Sequence, residues 1–203
     1  MAKPVFIVFE GGEGSGKSTQ AKALHQRLRK LGVSVRLTHE PGGTPIGDRL
    51  RRWLKFGRGI TIQTELLFFE AARSQLVKQV IRPAMAKGQV VVCDRFAGST
   101  VAYQGYGRGM DLSLVEALNE FVGDGLKPDL MVLLDLGAEQ GLSRKRSRGD
   151  CFEREEFSFH LRVRDGYLKQ AAADPDRWLV INAALPLEQV EQLVWDRVQP
   201  LLI

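Results

Sequence analysis

The sequence predicts an α/β protein: a five-stranded, mostly parallel sheet with helices on both faces. Short β-branched runs alternate with longer segments of helical period along the chain. The third and fourth of these runs are almost wholly apolar, as strands covered on both faces require. A glycine-rich turn stands directly between the first run and the first helical segment, the usual strand-to-helix junction of such folds.

The expected strands are PVFIVFE (4–10), VSVRLTH (33–39), QVVVCD (89–94), DLMVLLDL (129–136) and RWLVINA (177–183). Helices are expected near 16–31, 46–55, 63–86, 112–122, 138–147, 153–173 and 186–200. No internal repeat, low-complexity tract or Pro/Ser-rich linker interrupts this order, so one domain spanning residues 1–203 is expected. Ligands in such folds bind beyond the carboxyl ends of the strands. The unusual residues gather there: the turn after Glu10, HEPGGT, DRFAGST and INAALP.

A chain that is 44% hydrophobic and 26% charged fits a globular protein with a well-buried core. The net charge of +5 is concentrated in short runs at Arg27–Lys30, Arg49–Arg52 and Arg144–Arg148, a pattern that favours anionic partners. No stacking-rich ribbon or binding motif accompanies them, so nucleic acid is not an expected partner. Only two cysteines occur, and Cys93 lies inside an apolar run; a disulfide framework is not expected and a reducing compartment is. The apolar run at the start is too short to span a bilayer and leads straight into the glycine turn. It reads as a first strand, which makes the cytoplasm the expected location and gives no role to a membrane.

Gly11, Gly12, Glu13, Gly14, Ser15, Gly16, Lys17 and Ser18 satisfy G-x-x-x-x-G-K-[ST] in the context that gives the motif meaning, and Thr19 continues into the helix. Glycines let successive backbone N–H groups converge on phosphate oxygens. The helix N-terminus adds positive potential, Lys17 neutralises β/γ charge, and Ser18 offers a hydroxyl to Mg²⁺. A magnesium-bound nucleoside triphosphate is therefore the expected first ligand, and the expected fold is that of the P-loop nucleotide-binding proteins. Asp94 ends an apolar strand and suits the second metal-shell position, the alternative being a simple strand-terminal cap.

A GTPase needs a base-reading N-K-x-D segment and a water-positioning switch, and neither stands in the strand-end loops. A small-molecule kinase instead needs cations to clamp an anionic acceptor. Arg95 follows Asp94 and emerges where phosphate is transferred. Arg51 lies among three arginines in GDRLRRWLK, and periodicity does not choose between it, Arg49 and Arg52. In LLFFEAARSQL, Phe69 and Arg73 stand at i, i+4, which puts a ring and a guanidinium on one helix face. That pair could stack on a base and bond its edge, or fill a core.

FEGGEGSGKST, EPGGT, FEAAR, DRFAGSTVAYQGYGRG, PDLMVLLDL and SRKRSRGDCFERE occur in an order and spacing that resembles the thymidylate kinases, over nearly the whole chain. The resemblance implies transfer of the γ-phosphoryl group of ATP to dTMP, giving dTDP for dTTP synthesis. It also implies Mg²⁺ dependence, a five-stranded parallel sheet with a short lid, and a homodimer packed through helices. By the same resemblance Glu13 accepts from the deoxyribose 3′-hydroxyl, Phe69 stacks on thymine and Arg73 donates to its O4. Arg51 and Arg95 clamp the acceptor phosphate, Thr100 meets thymine N3 with Gln104 supporting that edge, and Tyr103 crowds the sugar's 2′ position. Glu70 receives no role, and Phe96 and Gly98 read as backbone-shape or packing residues.

None of Gly12, Glu13, Gly14 and Ser15 is cationic, so charge at the γ-phosphate is expected from a lid over about 144–156. Arg144 is the expected lid contact to ATP and Arg148 the expected arginine finger, although the sequence does not separate Arg148 from Arg144 or Arg154. A solvated basic helix face is the alternative. The expected catalytic set is Lys17, Arg95, Arg148 and Glu13. Because the acceptor oxygen is already anionic at neutral pH, Glu13 serves orientation and need not abstract a proton.

Overall fold

The computed structural model describes residues 4–144 and 151–202. Arg148 and the tail of the helix expected at 138–147 lie outside the described residues. The strands are β1 (Phe6–Glu10), β2 (Val35–His39), β3 (Val90–Asp94), β4 (Leu130–Asp135) and β5 (Trp178–Asn182), each inside the run that predicted it. They form one sheet in the order β2-β3-β1-β4-β5, and every pairing is parallel. β1 therefore lies in the centre, between strands that enter from opposite directions of the winding. The crevice at that switch point is where this architecture places a ligand.

Successive residues of β1 point to opposite faces of the sheet and feed two cores. Ile7 and Phe9 pack with Leu24, Leu28, Val92, Val132 and Val194, under α1 (Lys17–Lys30) and α9 (Leu187–Val198). Phe6 and Val8 pack with Leu76, Ile81, Val91 and Phe96 on the other face. The helix expected at 63–86 forms in that region as α3 (Ile62–Leu76), a π-helical stretch (Val77–Ile81) and α4 (Arg82–Ala86). α2 (Pro45–Phe56) starts with Thr44 accepting from the Gly47 N–H at 3.0 Å and proline at the first helical position.

Two expectations need correction. DRFAGST is expected at a strand end and no helix is expected between 86 and 112, but α5 (Ala97–Thr100) runs on into a π-helical stretch (Val101–Gly107). Three glycines lower its intrinsic helicity, and tertiary packing overrides them. A Cβ at Gly107 would stand 2.6 Å from the Phe159 ring, so the glycine permits this segment to lie against α8 (Phe157–Ala173). α8 also starts later than expected, with residues 151–156 forming turns before it. α6 (Leu112–Gly123) and α7 (Ala138–Ser143) complete the helices, and α7 stops before Arg144.

Candidate active site

The turn between β1 and α1 needs its glycines. Gly11, Gly14 and Gly16 take φ of 144°, 67° and 91°, values open to glycine and strained for other residues. A Cβ on Gly14 would stand 2.0 Å from the Gly141 carbonyl oxygen, and one on Gly141 would stand 2.2 Å from the Glu13 oxygen. α7 therefore presses its backbone directly on the turn. That contact brings Arg144 to the Gly14 carbonyl at 3.5 Å and the Ala183 carbonyl at 3.3 Å, joining the turn to the loop after β5.

Lys17 is buried and donates to the Gly12 carbonyl at 2.6 Å and to Ser15 Oγ at 3.2 Å. Burial, reinforced by the Arg95 charge, lowers its pKa to about 8 against the opposing pull of Glu13, Asp94 and Glu10. The Ser18 hydroxyl donates to Asp94 Oδ2 across the mouth of the turn. Among the described residues no group of three or more His, Cys, Asp and Glu could hold a metal. Among the described residues Ser18 and Asp94 bring two oxygens together at the mouth of the turn, and a divalent ion held there would complete its shell from phosphate and water. This donor set suits Mg²⁺, which keeps waters and takes one or two protein oxygens.

Arg95 sits at the centre. Its φ of 72° is unusual for a residue other than glycine, and the surroundings hold it. Its N–H donates to the Phe9 carbonyl at 2.9 Å. Nη2 reaches Glu13 Oε1 at 2.8 Å and Tyr103 Oη at 3.1 Å, while Nη1 reaches the Gly11 carbonyl and Tyr167 Oη, each at 3.1 Å. The Tyr103 hydroxyl donates to the same Glu13 oxygen at 2.7 Å, closing a triangle. Burial pushes the Tyr103 phenol far above its ordinary pKa, so it remains a donor.

Beneath this triangle lies a carboxylate that the sequence reading passed over. Glu10 is fully buried and accepts from the Phe96 N–H at 2.9 Å, the Ser99 N–H at 3.1 Å, Ser99 Oγ at 2.5 Å and Tyr167 Oη at 3.1 Å. Burial raises its pKa more than these bonds lower it. Glu10 thus pins the turn that carries Arg95. An acidic residue ending an otherwise apolar strand was the available signal.

A cleft of about 760 Å³ runs from the glycine turn to a wall made by Phe69, Thr100, Tyr103, Gln104 and Phe152. Ser18, Thr19, Lys17, Glu13, Asp94, Arg95, Arg51 and Arg144 all line it. Arg51 is the arginine of its helix that turns inward, bonding the Pro41 carbonyl at 2.8 Å, while Arg49 and Arg52 are exposed. Arg73 does not line the cleft. It lies one turn deeper, 1% exposed, where carboxylates draw the guanidinium inward: Nε to Glu40 at 2.9 Å and Nη1 to Glu70 at 3.1 Å, with Asn119 also bonded. Nη2 donates to Thr100 Oγ1 at 2.8 Å, so Arg73 touches the cleft through Thr100. Glu70, for which the sequence offered no role, neutralises Arg73.

A family model described as thymidylate kinase matches residues 9–194. The chain belongs to the thymidylate kinase family. The thymidylate kinase of Dehalococcoides mccartyi (strain CBDB1) is 48% identical over 201 residues, covering 98% of this chain and 97% of that protein. That of Deinococcus radiodurans is 45% identical over 202 residues, with 98% of each covered. The crystal structure of the thymidylate kinase from Ehrlichia chaffeensis superposes with a TM-score of 0.81 at 37% identity, covering 97% of this chain and 98% of that one. Membership in the thymidylate kinase family agrees with a cleft that has a phosphate turn at one end and an aromatic wall at the other. No described helix is long and apolar enough to cross a membrane.

Proposed function

We propose that the chain transfers the γ-phosphoryl group of ATP to dTMP, with Mg²⁺, in a cleft that holds the two nucleotides with their phosphates meeting. The supporting observation is the Glu13–Arg95–Tyr103 triangle, which stands between the phosphate turn and the aromatic wall of one continuous cleft. ATP binds Gly11 to Thr19, with Arg144 bridging toward the loop after β5. The acceptor's base lies against Phe69, with Thr100 and Gln104 at its edge; Arg51 and Arg95 hold its phosphate, and Glu13 orients its 3′-hydroxyl. Tyr103 restricts the 2′ position. Arg73 acts on the base through Thr100, or directly where the acceptor reaches past it.

Ser18 and Asp94 would hold Mg²⁺, which when bound neutralises charge on the donor's β- and γ-oxygens. Lys17 and Arg95 supply fixed positive charge to the equatorial oxygens. Glu13 removes no proton, since a phosphate monoester oxygen attacks as an anion, and its value is alignment. Arg148 belongs to this proposal as the lid's finger, in a single nucleotide-kinase unit with a lid over about 144–156. Exposed Trp53, Phe56, Leu67 and Phe121 on the neighbouring α2, α3 and α6 support a homodimer through those helices. Two free cysteines, one of them buried, agree with a cytoplasmic setting.

Side-by-side kinetics with dTMP, dUMP, UMP and thymidine test the reading. dTMP should give the highest kcat/KM, and a clear preference for any other acceptor would overturn it.

A further inference from the structure

Arg108, just beyond the π-helical stretch Val101–Gly107, belongs to none of the roles above, yet its guanidinium joins three parts of the molecule. Nε and Nη2 grip the Glu65 carboxylate at the start of α3, at 3.1 and 3.0 Å. Nη1 meets Glu155 Oε1 at 2.7 Å, in the turns before α8. The guanidinium also lies 5.8 Å from the Phe152 ring and 4.9 Å from the Phe159 ring.

Each of these partners leads to the cleft. Glu65 Oε1 also accepts from Gln104 Nε2 at 2.9 Å, and Gln104 lines the base end. With Nε2 committed to Glu65, the Gln104 amide cannot turn without losing that bond. Phe152 lines the same end, 5.9 Å from both Phe69 and Tyr103. Residues 151–156 are thus tied to Arg108 through Glu155 and, through Phe152, to Tyr103, whose hydroxyl bonds Glu13 of the phosphate turn.

Arg108 has the rigidity such a role demands. Its N–H donates to the Tyr103 carbonyl at 2.8 Å, and Arg162 holds the preceding Gly107 carbonyl at 2.9 Å. The Glu65 arm is bidentate and nearly buried, whereas Glu155 is 29% exposed. A purely structural arginine would be satisfied by Glu65; the third donor reaches the turns whose Phe152 packs on Tyr103, the residue that bonds Glu13 at the donor end.

We infer that Arg108 is a positioning residue that couples the acceptor-base end of the cleft to residues 151–156, so that acceptor and donor binding favour each other. The inference rests on the dTMP kinase reading. The test is titration calorimetry of dTMP on the full chain, with and without the non-hydrolysable ATP analogue AMP-PNP and Mg²⁺, for wild type, Glu155→Gln, Arg108→Met, Arg108→Lys and Arg108→Met with Glu155→Gln.

In the wild type, AMP-PNP should tighten dTMP binding at least about fivefold. Glu155→Gln should keep dTMP affinity without AMP-PNP within about twofold and reduce the enhancement about threefold. Arg108→Met should weaken dTMP and abolish the enhancement, Arg108→Lys should not rescue it because an ammonium lacks the fork, and the double variant should be no worse than Arg108→Met. No enhancement in the wild type, full enhancement in a folded Glu155→Gln protein, or single effects that multiply in the double variant would each overturn the coupling. Glu155→Gln decides alone if stranding Glu65 prevents Arg108→Met from folding. Failure of the wild type to bind dTMP at all would instead overturn the proposed function.

Discussion

Tyr103→Phe removes one oxygen from the centre of the cleft and little else. The lost hydroxyl donates to Glu13 at 2.7 Å and accepts from Arg95 at 3.1 Å. A hydrogen bond to a charged group contributes about 1.5–3 kcal/mol. Arg95 still reaches Glu13 directly at 2.8 Å and the Gly11 carbonyl at 3.1 Å, so the low end applies. About 1.5 kcal/mol corresponds to a roughly tenfold fall in kcat/KM for dTMP. The ring keeps its edge contacts with Phe152, Phe159 and Tyr167, so the cost in thermal midpoint is only about 3–6 °C. Because burial holds the phenol protonated well past its ordinary pKa, the loss should not vary through the neutral range. Coupled-enzyme kinetics with each substrate varied in turn measure it, and KM for ATP should stay within about twofold. A folded variant with kcat/KM for dTMP within about twofold of wild type, or with equal losses toward both substrates, would refute the triangle as an acceptor-positioning device.

Phe69→Ala should weaken dTMP about 10- to 100-fold by removing the stacking surface, with ATP affinity nearly unchanged; comparable losses for both in calorimetry would count against stacking. Lys17 gives a pH signature. Its pKa of about 8 in the free protein should rise when triphosphate charge arrives, so binding takes up no proton below pH 8 and takes one up above it. ATP affinity should therefore fall as pH rises past 8, and calorimetry in buffers of different ionisation enthalpy that found no proton uptake there would contradict the burial of this ammonium. Gly141→Ala would bring a methyl within 2.2 Å of the Glu13 carbonyl oxygen and force α7 off the phosphate turn. ATP affinity should drop about tenfold or more in a protein that still folds, and an unaltered affinity would show that this contact is not needed.

What the sequence disclosed and what it hid divide along the range of the interactions. The strands and the phosphate turn were legible because apolar runs and the glycine pattern are local signals, read within about ten residues. The helix through 97–107 was not, because Gly98, Gly105 and Gly107 argue against helix locally. Their justification, close approach to Glu10, Leu112 and Phe159, is visible only in three dimensions. Phe69 and Arg73 do share a helix face, but their different depths depend on Glu40 of the loop after β2 and Asn119 of α6. Likewise nothing in FEGG says that Glu10 will be enclosed by Ser99 and Tyr167, or that Arg108 will find Glu65 and Glu155 from distant parts of the chain.

The most direct test of the central claim is a crystal structure of the full chain with a bisubstrate analogue that joins thymidine to adenosine through a polyphosphate. The account predicts thymine stacked on Phe69 with its edge at Thr100 and Gln104, the 3′-oxygen bonded to Glu13, and the polyphosphate running past Arg95 onto Lys17 and the glycine turn. Thymine seated away from Phe69, or a polyphosphate that bypasses the Glu13–Arg95–Tyr103 triangle, would contradict it.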